Sequence, residues 1–163
     1  MKVYYFKTWF ILLSFAVLTC TVSCSKEEVS EETVETLEVL SVEEDILQLV
    51  NMHRANIGKQ ALTNDNTLAN KLAKEHTLYM IGQGNISHDN FSARADRLFD
   101  EENAKGVGEN VAAGQRSAKT VMEAWINSEG HRENIEGNFT HIGISAIKND
   151  AGKYYYTQLF FKL

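Results

Sequence analysis

The chain has 163 residues and a formal net charge of −6, from 16 basic and 22 acidic side chains. The charge is unevenly distributed, because residues 25–45 carry nine acids and one lysine whereas residues 46–163 carry thirteen of each sign. A neutral domain lacks the basic surface of a nucleic-acid-binding protein, so we expect no nucleic-acid partner. Residues 46–163 suit one domain, large enough for a hydrophobic core without disulfides.

The first 24 residues have the layout of a secretory signal peptide. Lys2 and Lys7 provide a positive start, an apolar run covers residues 9–18, and small or hydroxylated residues follow. The run is shorter than the ~20 apolar residues that span a bilayer. We therefore expect export with cleavage of this segment, and not a membrane-spanning anchor.

Both cysteines of the chain, Cys20 and Cys24, lie at the end of this segment. Cys24 follows a small serine and precedes a polar stretch, so it resembles the lipidated cysteine of bacterial lipoproteins; Cys20 is the alternative. Lys26-Glu27-Glu28 is similar to the export tag of Bacteroidetes surface lipoproteins. The resemblance implies an acyl (palmitate) anchor on Cys24 and an outer-membrane, surface-exposed location, with the membrane as a partner. The acidic residues 25–45 then predict a flexible tether.

Apolar residues at helical spacing predict four helices in the first two thirds of the domain. The first begins after a capping box at Ser41 and ends at Gly58, and the second begins at Asn64 or Asp65 and ends near Gly82. A third is predicted over residues 92–100, and a fourth begins after Ser117. The side chains expected to face inward from the last two helices are Ala95, Leu98, Phe99, Val121, Ala124 and Trp125.

Towards the C-terminus the residue pattern changes from helical spacing to one that is typical of β-strands. Residues 140–147 are rich in β-branched side chains, residues 149–152 have turn composition, and residues 153–163 are aromatic and strand-like, which predicts an antiparallel hairpin. A short strand is also predicted at residues 107–111. Helices first and strands last predict an α+β fold, with helices packed around a small antiparallel sheet.

Three polar residues beside turns or small residues are candidates for one shared site: His88, Glu109 and His131. Neutral imidazoles and a carboxylate suit zinc and related divalent ions, and three protein ligands leave a coordination position open. Without metal, a histidine near a carboxylate could act as a general base. Local roles are the alternative, with His88 capping a turn, Glu109 binding backbone donors and His131 bracing the turn that ends at Ile135.

The order and spacing of several motifs closely resemble the CAP superfamily (SCP domain; cysteine-rich secretory proteins, antigen 5 and pathogenesis-related proteins), in its short bacterial branch. The resemblance covers residues 46–163 and implies a three-layer α-β-α sandwich with a central cleft. The motifs are Asn51-Met52-His53-Arg54-Ala55-Asn56, Ser87-His88, Gly108-Glu109-Asn110-Val111, Trp125-Ile126-Asn127-Ser128, Gly130-His131-Arg132-Glu133-Asn134-Ile135, Phe139-Thr140-His141-Ile142-Gly143-Ile144 and Tyr156-Thr157-Gln158-Leu159-Phe160.

The resemblance also implies roles for individual residues. Two histidines and two acids line the family's cleft, and His88, Glu109 and His131 match three of them. Glu129 stands near the place of the second acid, but the family spacing falls on Ser128, so a site with one acid is equally consistent with the sequence. The resemblance implies metal binding, as with zinc, and in some members binding of sterols or lipids.

The remaining histidines have structural interpretations. His53 and His76 lie on apolar helix faces and are predicted to be hydrogen-bonded core residues. His141 begins a strand and is expected to face solvent or to pack on Tyr156.

These observations predict a cell-envelope domain whose cleft binds a divalent metal, a small ligand or a protein partner without catalysing a reaction. One alternative is a peptidase-like hydrolase that acts through activated water, since the chain has no Gly-x-Ser-x-Gly or His-Glu-x-x-His motif. A second alternative is a structural or adhesive surface protein that uses exposed tyrosines at residues 154–156.

Overall fold

A computed structural model describes residues 40–163, which form five helices and three strands. The predicted signal peptide, the lipidation candidates and the tether up to residue 39 lie outside the described residues. None of the helices within residues 40–163 has the length and apolar character needed to cross a bilayer. The elements are α1 (Val42–Asn56), α2 (Thr67–Gln83), α3 (Phe91–Glu102), β1 (Gly106–Ala113), α4 (Ala118–Ile126), α5 (Glu129–Ile135), β2 (His141–Lys148) and β3 (Tyr154–Lys162).

The three strands form one antiparallel sheet in the order β1–β3–β2. Side chains of β3 alternate between two cores, as the period of two along a strand requires. Tyr156 and Phe160 pack with α1, α4 and α5, whereas Leu159 and Phe161 pack with α2 and α3. The sheet therefore lies between two helical layers, and the predicted α+β sandwich with a small antiparallel sheet is confirmed.

Helix α1 begins with the predicted capping box at Ser41. The Ser41 hydroxyl accepts the Glu44 N–H, and the Glu44 carboxylate accepts the Ser41 N–H at 2.7 Å. Ile46 and Val50 then face the core with Trp125 of α4. Because the helix begins at Val42, it starts four residues before the domain boundary predicted at residue 46.

Helix α2 packs directly on β2 through Gly143. A Cβ atom at this position would lie 2.4 Å from the backbone of Ala69, so only glycine allows the helix to approach so closely. One residue later, the Ile144 N–H donates to the side chain of Asn70 at 3.0 Å. This contact fixes α2 on the face of the sheet that carries the site described below.

Several predicted boundaries and inward-facing residues were wrong. Asn66, and not Asn64 or Asp65, caps α2, because its side chain accepts the Ala69 N–H at 2.7 Å. Phe99 of α3 is 41% exposed, since the buried stripe of that helix runs through Arg94, Ala95 and Leu98.

In the second half of the domain, Ala124 is exposed and Met122 takes its place in the buried stripe of α4. Residues 129–135 form α5 where a turn was predicted. His141 stacks on Phe161 at a ring-centroid distance of 4.9 Å, and not on Tyr156, because the β2–β3 register pairs those two residues.

Candidate functional site

The candidate site is built around a buried carboxylate, that of Glu109 in the middle of β1. The strand register pairs Glu109 with Leu159, so its side chain points to the face covered by α2 and α3, where only 1% of it is exposed. Arg94 of α3 donates from Nε to Oε2 and from Nη2 to Oε1, both at 2.8 Å. This two-pronged ion pair compensates a charge that would be costly to bury alone.

His88 lies in the loop between α2 and α3 and contacts the same carboxylate. Its Nδ1 is 2.8 Å from Glu109 Oε1, while 54% of its side chain is exposed. A carboxylate paired with arginine is ionised and can only accept, so Nδ1 carries the proton of this hydrogen bond. His88 Nε2 has no hydrogen-bond partner among the described residues, and in the neutral tautomer that carries the proton on Nδ1 it is an unprotonated nitrogen.

His131 reaches the site from α5, which two asparagines hold against β1. Asn110 donates to the backbone oxygen of His131 at 3.0 Å, and Asn134 donates to the backbone oxygen of Glu109 at 3.0 Å. The His131 Nδ1 lies 2.8 Å from Ser128 Oγ, and no described residue bonds its Nε2. Burial lowers the pKa of His131, and positive charge on a protonated His88 lowers it further.

His76 of α2 lies beneath the site and positions the loop that carries His88. Its Nε2 is 2.7 Å from the backbone oxygen of Ser87 and 3.8 Å from Glu109 Oε1. Burial lowers the pKa of His76 against the opposing effect of Glu109, so the ring stays neutral at pH 7 and donates to Ser87. The prediction of a hydrogen-bonded core histidine is confirmed. Arg94 holds the other side of the loop by donating to the Asp89 backbone oxygen at 2.7 Å.

The sequence comparison decides the family of this fold. The profile of the cysteine-rich secretory protein family, CAP, matches residues 47–160. The chain belongs to the CAP family. It is 33% identical over 129 residues to the protein YkwD of Bacillus subtilis and 31% identical over 138 residues to the membrane protein YlbC of the same species. These matches cover 76% and 82% of this chain but only 49% and 38% of the relatives, so the chain spans about half of their length or less.

Two solved structures have a similar fold. An extracellular protein containing a SCP domain from Bacillus anthracis superposes with a TM-score of 0.63 at 29% identity, covering 75% of this chain and 40% of that one. An outer surface protein from Borrelia burgdorferi superposes with a TM-score of 0.62 at 21% identity, covering 76% and 96%. The second likeness supports the fold alone, whereas the first also agrees with the family assignment.

The CAP fold brings His88 and Glu109 into direct contact, and it holds the helix of His131 against β1 through Asn110, the neighbour of Glu109. It does not bring Glu129 into the site: this residue is the exposed first residue of α5, and Ser128 makes the contact with His131 instead. His53, the other histidine predicted to be a core residue, lies at 24% side-chain exposure with its Nε2 2.8 Å from Glu136. That pair lies outside the site.

Arg94 is the site residue that sequence reasoning missed. Its signal was a charged side chain on the buried stripe of α3, three residues after Phe91 and four before Leu98. A long cation at such a position requires a buried partner, and Glu109 was the acid that the motifs matched directly to the site. This pattern would have identified the ion pair before the structure.

The donor chemistry of the CAP site fits a metal held by two histidines. Metal-binding histidines usually bond one ring nitrogen to a protein group and use the other as ligand. His88 and His131 both use Nδ1 within the protein, which leaves each Nε2 available. Glu109 fits the role of a residue that bonds the ligand His88, and not that of a direct metal ligand, because Arg94 already donates to both of its carboxylate oxygens. Within residues 40–163, no group of three or more His, Cys, Asp or Glu side chains has the geometry of a metal site.

Proposed function

We propose that the chain is an exported CAP-domain protein that binds a divalent metal through the Nε2 atoms of His88 and His131. The observation that carries the proposal is the pair of occupied Nδ1 atoms, 2.8 Å from Glu109 and from Ser128. Both partners fix the ring orientation, which lowers the ordering cost of binding. The bound ion would supply Lewis acidity and an acidic water at its remaining positions.

The experiment is a calorimetric titration of zinc into the metal-stripped full chain. We expect a dissociation constant of about 1 μM or tighter, equivalent to ~8 kcal/mol. The His88→Ala/His131→Ala variant should lose this binding, since both ligands are removed. The His53→Ala/His141→Ala variant is the matched control, because it removes two histidines outside the site. Equal weak binding by all three proteins would rule out the metal site.

One alternative function has support in the same geometry. His88 is half exposed, bonds Glu109 through Nδ1 and presents a free Nε2, which is the arrangement of a general base oriented by a carboxylate. Water would be the nucleophile. Hydrolysis of a peptide or ester by the metal-stripped chain, lost in His88→Ala but kept in His131→Ala, would favour this hydrolase over a binding protein.

A purely adhesive role for the tyrosines at residues 154–156 is not favoured by their burial. Tyr155 and Tyr156 are buried, and only Tyr154 is partly accessible. Tyr156 donates its hydroxyl to the backbone oxygen of Gln115 at 2.9 Å, and burial raises its pKa to about 12. These side chains therefore stabilise the sheet and do not form an exposed aromatic patch.

We also propose export followed by lipid anchoring at Cys24. The apolar leader and the polar stretch after the cysteine support it, as does the similarity to an extracellular protein with a SCP domain. Mass spectrometry of the protein from cell envelopes should find an N-terminal acylated Cys24. A Cys24→Ser variant should remain unacylated, whereas Cys20→Ser should be acylated normally. Acylation that depends on Cys20 instead would overturn the assignment.

A further inference from the structure

A pocket that is separate from the candidate site lies at the C-terminal end of β1, opposite the end that begins at Gly106. It has a volume of about 410 Å³ and is formed where β1 and β2 end and β3 begins, by residues 114–116, residue 148 and residues 151–154. Gly114, the residue after the end of β1, lies five positions beyond Glu109, or roughly 17 Å along the strand direction. The pocket is therefore separate from the histidine site and is called the basic pocket below.

Three cations line the basic pocket: Arg116, Lys148 and Lys153. They come from the β1–α4 loop, the end of β2 and the β2–β3 turn, so the fold and not local sequence brings them together. No acidic residue lines the pocket, and none of the three forms an ion pair with any other residue in 40–163. Because residues 46–163 have no net charge, this concentration of unpaired charge marks a preference for an anion.

The remaining lining residues add a polar and an aromatic contact. The Gln115 Oε1 atom is buried and has no hydrogen-bond partner in the described part of the chain. A buried acceptor without a partner is costly, and a ligand hydroxyl would satisfy it. The ring of Tyr154 forms one wall, with Lys148 Nζ held 4.7 Å from its centroid. The pocket thus combines three cations with a lining glutamine whose side-chain oxygen has no partner among the described residues.

We propose that the basic pocket binds a phosphorylated polyol, either a soluble sugar or glycerol phosphate or the phosphorylated sugar headgroup of a lipid. A phosphomonoester carries about −1.5 to −2 charges at pH 7 and offers three acceptor oxygens, which matches three cations better than a carboxylate does. The polyol hydroxyls supply the donor that Gln115 lacks. The volume falls within the range of about 300–1,000 Å³ that is typical of small-molecule sites.

The test uses the full chain in an uncharged polyoxyethylene detergent, with the backbone amide NMR signals of Gly114 and Gly152 as local reporters. Glycerol 3-phosphate should shift both signals saturably and bind at least tenfold more tightly than inorganic phosphate or glycerol. The Arg116→Gln/Lys148→Gln/Lys153→Gln variant should weaken this binding at least tenfold. The matched control is Lys59→Gln/Lys105→Gln/Lys162→Gln, which makes the same charge change at lysines that do not line the pocket and should bind like the unmodified chain.

Two further experiments distinguish a lipid ligand from a soluble one and test the contact between Gln115 and a ligand hydroxyl. Micelles that contain phosphatidylinositol 4-phosphate test the lipid headgroup: shifts with the lipid alone assign the pocket to a membrane surface, and shifts with glycerol 3-phosphate assign it to a soluble ligand. Gln115→Leu should weaken glycerol 3-phosphate but not inorganic phosphate. Absence of saturable shifts with both compounds, or equal binding by the two triple variants, would overturn the proposal.

Discussion

Replacing Arg94 with methionine tests whether the buried ion pair organises the site. The variant would leave the Glu109 carboxylate, 1% exposed, with His88 as its only close hydrogen-bond partner within residues 40–163. Removing one member of a buried pair typically costs about 3–5 kcal/mol, because the remaining charge is uncompensated. Domains of this kind are stable by about 5–15 kcal/mol, so a substantial share of the stability of the domain would be lost.

Urea unfolding followed by circular dichroism measures this loss. With a slope of roughly 1.5–2 kcal/mol per molar urea, the midpoint of Arg94→Met should fall by roughly 2 M. The matched control is Arg97→Met on the same helix. Its ion pair with Glu101 is on the surface, so it should unfold at nearly the same urea concentration as the unmodified chain.

A double variant isolates the charge from the loss of packing. Arg94→Met/Glu109→Gln removes both charges and keeps an acceptor for His88, so it should be more stable than Arg94→Met alone. A stabilising role for the buried ion pair would be refuted if Arg94→Met unfolded at the same urea concentration as Arg97→Met. It would also be refuted if adding Glu109→Gln to Arg94→Met lowered the stability further.

Three further predictions concern packing, the proposed metal site and pH. Gly143→Ala should destabilise the domain by about 1–3 kcal/mol in urea unfolding, because its Cβ would meet the backbone of α2, whereas Gly82→Ala, with open space around it, should not destabilise. Ser128→Ala should weaken zinc binding about tenfold in calorimetry by freeing the His131 ring, yet should leave stability unchanged because Ser128 makes no capping bond to α5; unchanged zinc affinity would contradict the proposed orientation. Burial lowers the folded-state pKa of His76 and of His131 below the ordinary 6.5. At acidic pH the unfolded chain therefore binds more protons than the folded chain. The free energy of unfolding should be highest above about pH 6.5 and should fall as the pH is lowered. His76→Gln should therefore lose less stability between pH 7 and pH 5 than the unmodified chain; an equal loss would show that other groups control acid sensitivity.

Local patterns predicted much of the fold. The capping box at Ser41, the hairpin with its turn at residues 149–152 and the strand in β1 were confirmed, because each depends on neighbouring residues. Errors arose where tertiary contacts decide the outcome. Asn64 was a plausible cap, but its side chain instead accepts from Asn70 at 2.6 Å, which left Asn66 to cap α2.

The site was predicted only in part, because local motifs identify its residues but tertiary contacts decide which of them meet. The motifs named His88, Glu109 and His131, yet no local pattern reveals which of them touch. Contact between His88 and Glu109 depends on how α3 and β1 pack, and Arg94 joins them only because its helix presents it to β1. Ser128 took the place considered for Glu129, since α5 begins one residue later and directs that side chain to solvent.

We propose above that the free Nε2 atoms of His88 and His131 bind one metal ion. Nitrogen NMR of ¹⁵N-histidine-labelled full chain, titrated with zinc, tests it atom by atom. We expect the Nε2 signals of His88 and His131 to shift together at a stoichiometry of one ion per chain, while their Nδ1 atoms stay protonated and the signals of His53 and His141 do not move. Zinc-induced shifts at Nδ1, or at only one of the two histidines, would contradict it.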